Sequence, residues 1–334
     1  MDARASLMTL KTVQQLADTG RHTAVVEYLA GLPDQEVATS PTLALLFGSA
    51  CARLGRDDQA QRWAAVALAR ARERGDRPVE ARALNLSGAI AFDMGRIDDA
   101  AQYFTEGLAQ AEREDDPATV GRCSNNLGII ASLRGDHGRA VGSYTMALAA
   151  FQQAGLHAGV AETLHNLATT YRDQGELEQA LQIADRAVHE ATEAGDLRLV
   201  ALTQGGRAEI RLLAGDPAVA RREVEHAIAM HRDLGDIVGE AYDLRVLGCV
   251  LAQLGDNEAE AERTLRQVVD RAEAFGRPLL AALAARDLAK LFLTKVGREQ
   301  EASDWASRAR TRFIKLGAQA EVRSLDQITA TRAG

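Results

Sequence analysis

The chain has 334 residues, 39 Lys+Arg against 47 Asp+Glu for a net charge of -8, and only 6 prolines. Charge of this sign argues against a general affinity for phosphate backbones or anionic membranes. No run of roughly 18 apolar residues occurs, so neither nucleic acid nor membrane is an expected partner. Cys51, Cys123 and Cys249 are odd in number and far apart, which excludes a disulfide framework or a zinc knuckle; they read as core thiols of a cytoplasmic protein. The opening MDARASLMTLKTVQQ lacks the apolar stretch of a signal peptide.

The first element pair is short: Leu16, Val25, Val26, Tyr28 and Leu29 give a weak amphipathic pattern around Gly20, and residues 1–35 read as an N-terminal capping repeat. From there Gly recurs every 40 residues, at Gly55, Gly95, Gly135, Gly175, Gly215 and Gly255. The first five are each followed five positions later by Ala60, Ala100, Ala140, Ala180 and Ala220. After Gly255 the alanine arrives one residue late, at Ala261, and Gly297 with Ala302 resumes the spacing after a total slip of two. A second series runs half a period out of phase through Gly75, Gly155, Gly195, Gly235, Gly276 and Gly317, with Asp115 at its vacancy. Such self-similarity predicts an array of helix pairs, because each unit buries its apolar face only against its neighbours.

Residues 122–154 illustrate one unit. Leu127, Ile130, Ala131 and Leu133 stripe one helix before Gly135, and Ala140, Val141, Tyr144, Ala147 and Leu148 stripe the next. Gly135 suits the left-handed residue that ends the first helix. Asp136 and its counterparts Asp57, Glu176, Asp216 and Asp256 place negative charge at the start of the second. Gly48, Gly88, Gly128, Ala168, Ala208 and Gly248 are expected where the paired helices cross closely, facing the alanine series. The first slip is expected in the turn before Ala261, leaving Glu260 outside that contact, and the second in the eighth leading helix or its turns. The pattern gives seven repeats over residues 36–317, and the stripe Val322, Leu325, Ile328 marks residues 318–334 as a C-terminal cap.

The segment NNLGIIASLRGDHGRAVGSYTMAL carries Gly128, Gly135, Ala140, Tyr144 and Ala147, and HNLATTYRDQGELEQALQIADRAV carries Leu167, Ala168, Tyr171, Gly175, Ala180 and Ala187. In this order of small residue, turn glycine, alanine, aromatic and alanine the chain resembles the tetratricopeptide repeat (TPR) family over about residues 6 to 317. The family repeat is about 34 residues long. The longer period here is similar to that of kinesin light chains, Pins-type adaptors and the sensor arrays of bacterial activators. HEAT and armadillo units share the period but lack the Gly and Ala spacing. The resemblance implies an all-α, right-handed α-solenoid of about eight helix pairs plus a C-terminal capping helix, a single superhelical domain over residues 1–334. It also implies a ligand groove lined by the first helix of each pair, the A helix, with the second, B, behind it.

No Walker loop, HExxH, nucleophile elbow, CxxC pair or EF-hand occurs, so no enzyme, metal or cofactor is expected. HEATE at His189–Glu193 lacks the second histidine of a zinc motif, and His226 and His231 are too separated around a helix to act as a ligand pair. Ten residues before each turn glycine, the implied groove positions are Leu45, Asn85, Asn125, His165, Gly205 and Arg245, with Arg286 after the slip; Asn126 and Asn166 follow by one. Carboxamides in a row can hold both N–H and C=O of an extended peptide, or instead bridge neighbouring helices as buried polar groups must. Arg82, Arg122, Arg245, Arg286 and Lys290 outnumber Glu162 and Glu209 on the same face, which favours an acidic peptide or a C-terminal carboxylate. Arg207 and Arg211, four apart, form either an anion pocket or basic stems paired to neighbouring acids. The expected function is a non-enzymatic scaffold for a protein or peptide ligand. The alternative is a ligand- or peptide-sensing regulator, which would act through a separate effector because the array leaves no room for one.

Overall fold

A helix that ends on a left-handed residue can satisfy its last carbonyls by reversing the chain, and that device sets the whole fold. In the computed structural model, which describes residues 3–255 and 257–330 with side chains from residue 8 to 328, Gly135 has φ +77. The N–H of Asp136 donates back to the Ala131 carbonyl at 2.9 Å. The other turn glycines of both series also have positive φ. At the vacancy Asp115 takes φ 51, the one non-glycine in this region among the described residues, and Asp116 N–H donates to Ala111 at 3.0 Å.

Unit 1, residues 1–127, holds α1 (Ala3–Asp18), α2 (His22–Ala30), α3 (Asp34–Thr39), α4 (Pro41–Arg53), α5 (Asp57–Arg74), α6 (Arg77–Asp93), α7 (Ile97–Arg113) and the first part of α8 (Pro117–Arg134). Unit 2, residues 128–334, holds the rest of α8, α9 (His137–Gln153), α10 (His157–Asp173), α11 (Leu177–Glu193), α12 (Leu197–Leu213), α13 (Pro217–Asp233), α14 (Ile237–Leu254), α15 (Glu258–Ala274), α16 (Pro278–Leu293), α17 (Glu299–Lys315) and α18 (Gln319–Ala330). Consecutive helices pack in pairs, α4 with α5, α6 with α7, and from α10 with α11 through α16 with α17. No strand occurs among the described residues. The short α3 has no counterpart in the repeat spacing; it packs on α4 and α5 with Val37 buried, and the first period is short because α2 and α4 have only 9 and 13 residues.

Within a pair the expected small-residue crossing is present. A Cβ at Gly88 would lie 2.6 Å from the Phe104 ring and one at Gly128 2.5 Å from Tyr144, while Ala100, Ala140, Ala180 and Ala220 have no exposed surface. The acidic caps fall mainly at the other turn. Asp76, Asp116, Asp196 and Asp236 accept N–H bonds at the starts of A helices, joined at B helices by Asp136 and Asp216. Glu176 caps without a side-chain bond, Asp57 lies in the first turn of α5, and Asp256 lies outside the described residues.

The slips fall as the spacing requires. Helix α15 starts at Glu258 under an Asn257 cap, with Ala261 buried and Glu260 exposed. The second extra residue widens the turn between Leu293 and Gly297, where Val296 is fully in solvent.

Candidate binding site

Besides pairing with their B helices, A helices pack on one another, α4 along α6, α10 along α12, α12 along α14 and α14 along α16. A residue ten before the turn glycine therefore points at a neighbouring A helix and not into open solvent. Leu45, Asn125 and Arg245 are buried at 6%, 4% and 4% exposure. Asn125, expected to grip a ligand, is a buried side chain in this structure. Asn85 and Asn126 do meet, across α6 and α8: the Asn126 amide donates to Asn85 Oδ1 at 3.1 Å, and the Cys123 thiol, pushed up to about 12 by burial, lies 3.7 Å from the same oxygen. That is the bridging arrangement. His165 and Asn166 are half-buried, and Arg82 and Arg122 are exposed, Arg82 bonding the Pro78 carbonyl of its own helix at 3.3 Å.

Arg207 and Arg211 are paired to acids of the neighbouring helices. Both clamp Glu223 of α13, at 3.0 and 3.1 Å, and Arg207 also reaches Asp185 of α11 at 2.9 Å. The anions they hold in this structure are the protein's own, the arrangement expected of basic stems paired to neighbouring acids.

The charged residues that do converge lie further along the A helices of unit 2, around a cavity of ≈ 730 Å³. Arg172 of α10 donates to Glu209 of α12 at 2.5 Å. Arg245 of α14 spans Glu209 and Asp287 of α16, the latter at 2.6 Å. Arg286 holds the other Asp287 oxygen at 3.0 Å and Glu321 of α18. Positive and negative side chains thus alternate from helix to helix in a continuous ladder. Burial alone would raise the Glu209 carboxyl, but Arg172 and Arg245 outweigh it and hold it at about 2. Asp287 is likewise held low by Arg286 and Arg245 against its own burial. Lys290 reaches the cavity solvent and makes no ion pair among the described residues; crowding by protein, with Arg286 nearby, lowers its ammonium.

The sequence frame placed Arg245 and Arg286 on a free surface, whereas both are neutralised by carboxylates. Arg172, Asp287 and Glu321 lay outside that frame. Their signal is in the chain: opposite charges recur 37, 36, 42 and 35 residues apart along the ladder, about one repeat each.

His165 sits against Gly206, its ring 2.4 Å from where a Cβ would be. Burial, reinforced by Arg172, lowers it to about 4 although Glu209 opposes. The folded state therefore holds it neutral while the unfolded chain protonates below about 6.5. The stability this provides is complete above pH 6.5 and is lost as pH falls toward 4. Urea melts should show a loss of about 1–2 kcal/mol between pH 7 and pH 5, reduced in His165→Gln. Glu209 titrates below this window, so equal pH slopes in the two proteins would remove His165 as the cause.

Among the described residues no His, Cys, Asp and Glu group is arranged to hold a metal, and no helix is long and apolar enough to cross a membrane. A tetratricopeptide repeat family model matches residues 40–113, 81–153, 120–189 and 159–233, together more than half of the chain. The chain belongs to the tetratricopeptide repeat family. The four TPR windows start about 40 residues apart, so the long period belongs to the repeats themselves. Among solved structures, this TPR chain is similar to a Rap protein complexed with Competence and Sporulation Factor (TM-score 0.66, 12% identity, 99% of each chain). It is similar also to aspartyl phosphate phosphatase F from Bacillus subtilis (TM-score 0.67, 14% identity, 93% of this chain and 85% of that one). A third is NprR in complex with its cognate peptide NprX (TM-score 0.61, 16% identity, 92% of this chain and 87% of that one). At these identities the likeness is one of fold. No curated protein matches the sequence significantly.

Proposed function

We propose that this TPR protein is a non-enzymatic, cytoplasmic scaffold that holds an extended, acidic peptide or partner segment on the A-helix side of its repeats, with the unit 2 cavity as the recognition centre. The observation that carries this is Lys290, an ammonium at the cavity with no ion pair among the described residues, beside guanidinium groups that are already paired. Carboxylates are the groups such an ammonium recognises. The fold shared with a Rap protein bound to Competence and Sporulation Factor and with NprR bound to NprX supports a peptide as the ligand class. The same likeness favours the second reading, a peptide-sensing regulator that passes its state to a separate effector. In unit 1 the exposed Arg82 and Arg122 are charge-selecting positions, on the two A helices that Asn85 and Asn126 bridge.

Panning a random peptide library on the protein tests the reading. Acidic sequences are expected, with affinity falling as salt rises. Lys290→Glu should weaken them by about 10-fold or more, the worth of one charge-assisted hydrogen bond. Selected peptides that bind Lys290→Glu and wild type equally would move the site away from the cavity, and Arg122→Glu would then test unit 1.

A further inference from the structure

The inner rungs of the ladder all come from A helices that are covered by their own B helices. The outermost, Glu321, comes from α18, which packs along α17 with Val322 and Leu325 buried and turns its other side to the cavity. On that side Glu321 meets Arg286, while Arg323 reaches the turn at Gly135, with a guanidinium nitrogen 1.8 Å from where a Cβ would stand. The helix therefore lies across one side of the cavity, from α17 to the α8–α9 turn. Its anchors include two buried apolar side chains, the Glu321–Arg286 pair and an exposed Arg310–Asp326 pair at 2.8 Å.

Arg286 is the only ladder arginine whose partners include a group from α18. Lys290 is four residues further along the same face of α16 and makes no ion pair among the described residues, although Asp287 and Glu321 act on it through space. Glu321 thus contacts one of two adjacent cations directly and leaves the other without a direct contact. We infer that α18 is the resident occupant of the cavity, and that a ligand presenting two neighbouring carboxylates binds by displacing Glu321 from Arg286 while adding the contact to Lys290 that Glu321 does not make. This inference rests on the peptide-binding reading of the same cavity. The exchange of carboxylate for carboxylate keeps Arg286 neutralised throughout, so the incoming ligand leaves no buried guanidinium uncompensated. The additional contact gives the ligand its advantage over the resident helix. Only such a differential interaction can shift the population toward the open state. Release of α18 would uncover the apolar edge of α17 now covered by Val322 and Leu325, a change a second protein can read.

The experiment uses the full chain and a fluorescein-labelled hexaglutamate peptide as probe, with hydrogen exchange followed by mass spectrometry. Glu321→Gln, isosteric and uncharged, should accelerate exchange of the α18 amides and tighten the probe several-fold, because the competing carboxylate is gone. Probe added to wild type should accelerate the same amides. Lys290→Ala should weaken the probe at least five-fold and leave α18 exchange in the free protein unchanged. If Glu321→Gln and wild type bind the probe equally while Lys290→Ala binds weakly, the cavity still takes acidic peptides and the displacement is overturned. Protection of the α18 amides by the probe would overturn it equally, since the helix would then be part of the bound state. Should the probe bind none of the proteins, the acidic-peptide reading of the cavity fails, and the inference with it.

Discussion

Replacing Arg245 by Met is expected to destabilise unit 2 by about 3–5 kcal/mol, the cost of breaking a buried ion pair from one side. Arg245 is 4% exposed and joins two carboxylates on different helices, Glu209 and Asp287. Without it both are left in a setting that would otherwise raise their pKa values. Each retains one arginine, Arg172 and Arg286 respectively, which keeps the loss from being larger still. The signature is in the pH dependence. Loss of Arg245 raises both carboxyls toward ordinary values, so the difference between variant and wild type should shrink as pH falls below about 4.5, where the unfolded chain also takes up the protons. Urea melts at pH 7 and pH 4 measure it. A loss below about 1 kcal/mol at pH 7 would mean that solvent screens the ladder and that it acts as a surface network.

The second expectation is a sign reversal between two glycines of neighbouring helices. Gly142 lies on the exposed side of α9 with nothing within 4 Å of a Cβ, so Gly142→Ala should stabilise by about 0.5–1 kcal/mol through helix propensity alone. Gly128 occupies the crossing of α8 with α9. There the same substitution places a methyl 2.5 Å from the Tyr144 ring, and Tyr144, 1% exposed, has no free space into which to swing. Gly128→Ala should therefore destabilise by about 1–3 kcal/mol despite the propensity gain, and Gly128→Leu by more. Thermal melts of the two alanine variants suffice. Movement in the same direction would show that the α8–α9 crossing is looser than the aromatic contact requires.

The architecture was legible because its signal is steric. Only certain residues tolerate φ near +77 at Gly135 or a ring lying over Gly128, and these constraints recur unit after unit. Even the two slips could be located from Ala261 and Gly297. The site was less legible for a reason of the same kind. Counting ten residues back from a turn fixes a point along a helix but not which neighbour that point faces, and in this array it faces the next A helix. Asn125 and Arg245, expected to face a ligand, are both buried, and Arg245 lines the cavity while paired to two carboxylates. Arg207 and Arg211 were undecided from sequence because Glu223 and Asp185, which hold them, come from two other helices. Asp287 adjoins Arg286 in the chain and pairs with it; its second partner, Arg245, is 42 residues away. Helix α3, six residues long, lies below what apolar periodicity can resolve.

The alternation of sign along the ladder also limits how this array can evolve. Repeat proteins lengthen and shorten by duplicating or losing whole units, and a uniform stack would accept any number. Here α10 presents a cation, α12 an anion, α14 a cation and α16 an anion to their neighbours. Excising the single unit α12–α13 would set Arg172 against Arg245, guanidinium to guanidinium in a buried seam. Excising two units together would restore the match. Between α10 and α16 the ladder imposes a parity rule, so that this stretch can shrink only in twos; the α16–α17 unit, which carries both Asp287 and Arg286, is exempt, since its loss would set Arg245 against Glu321.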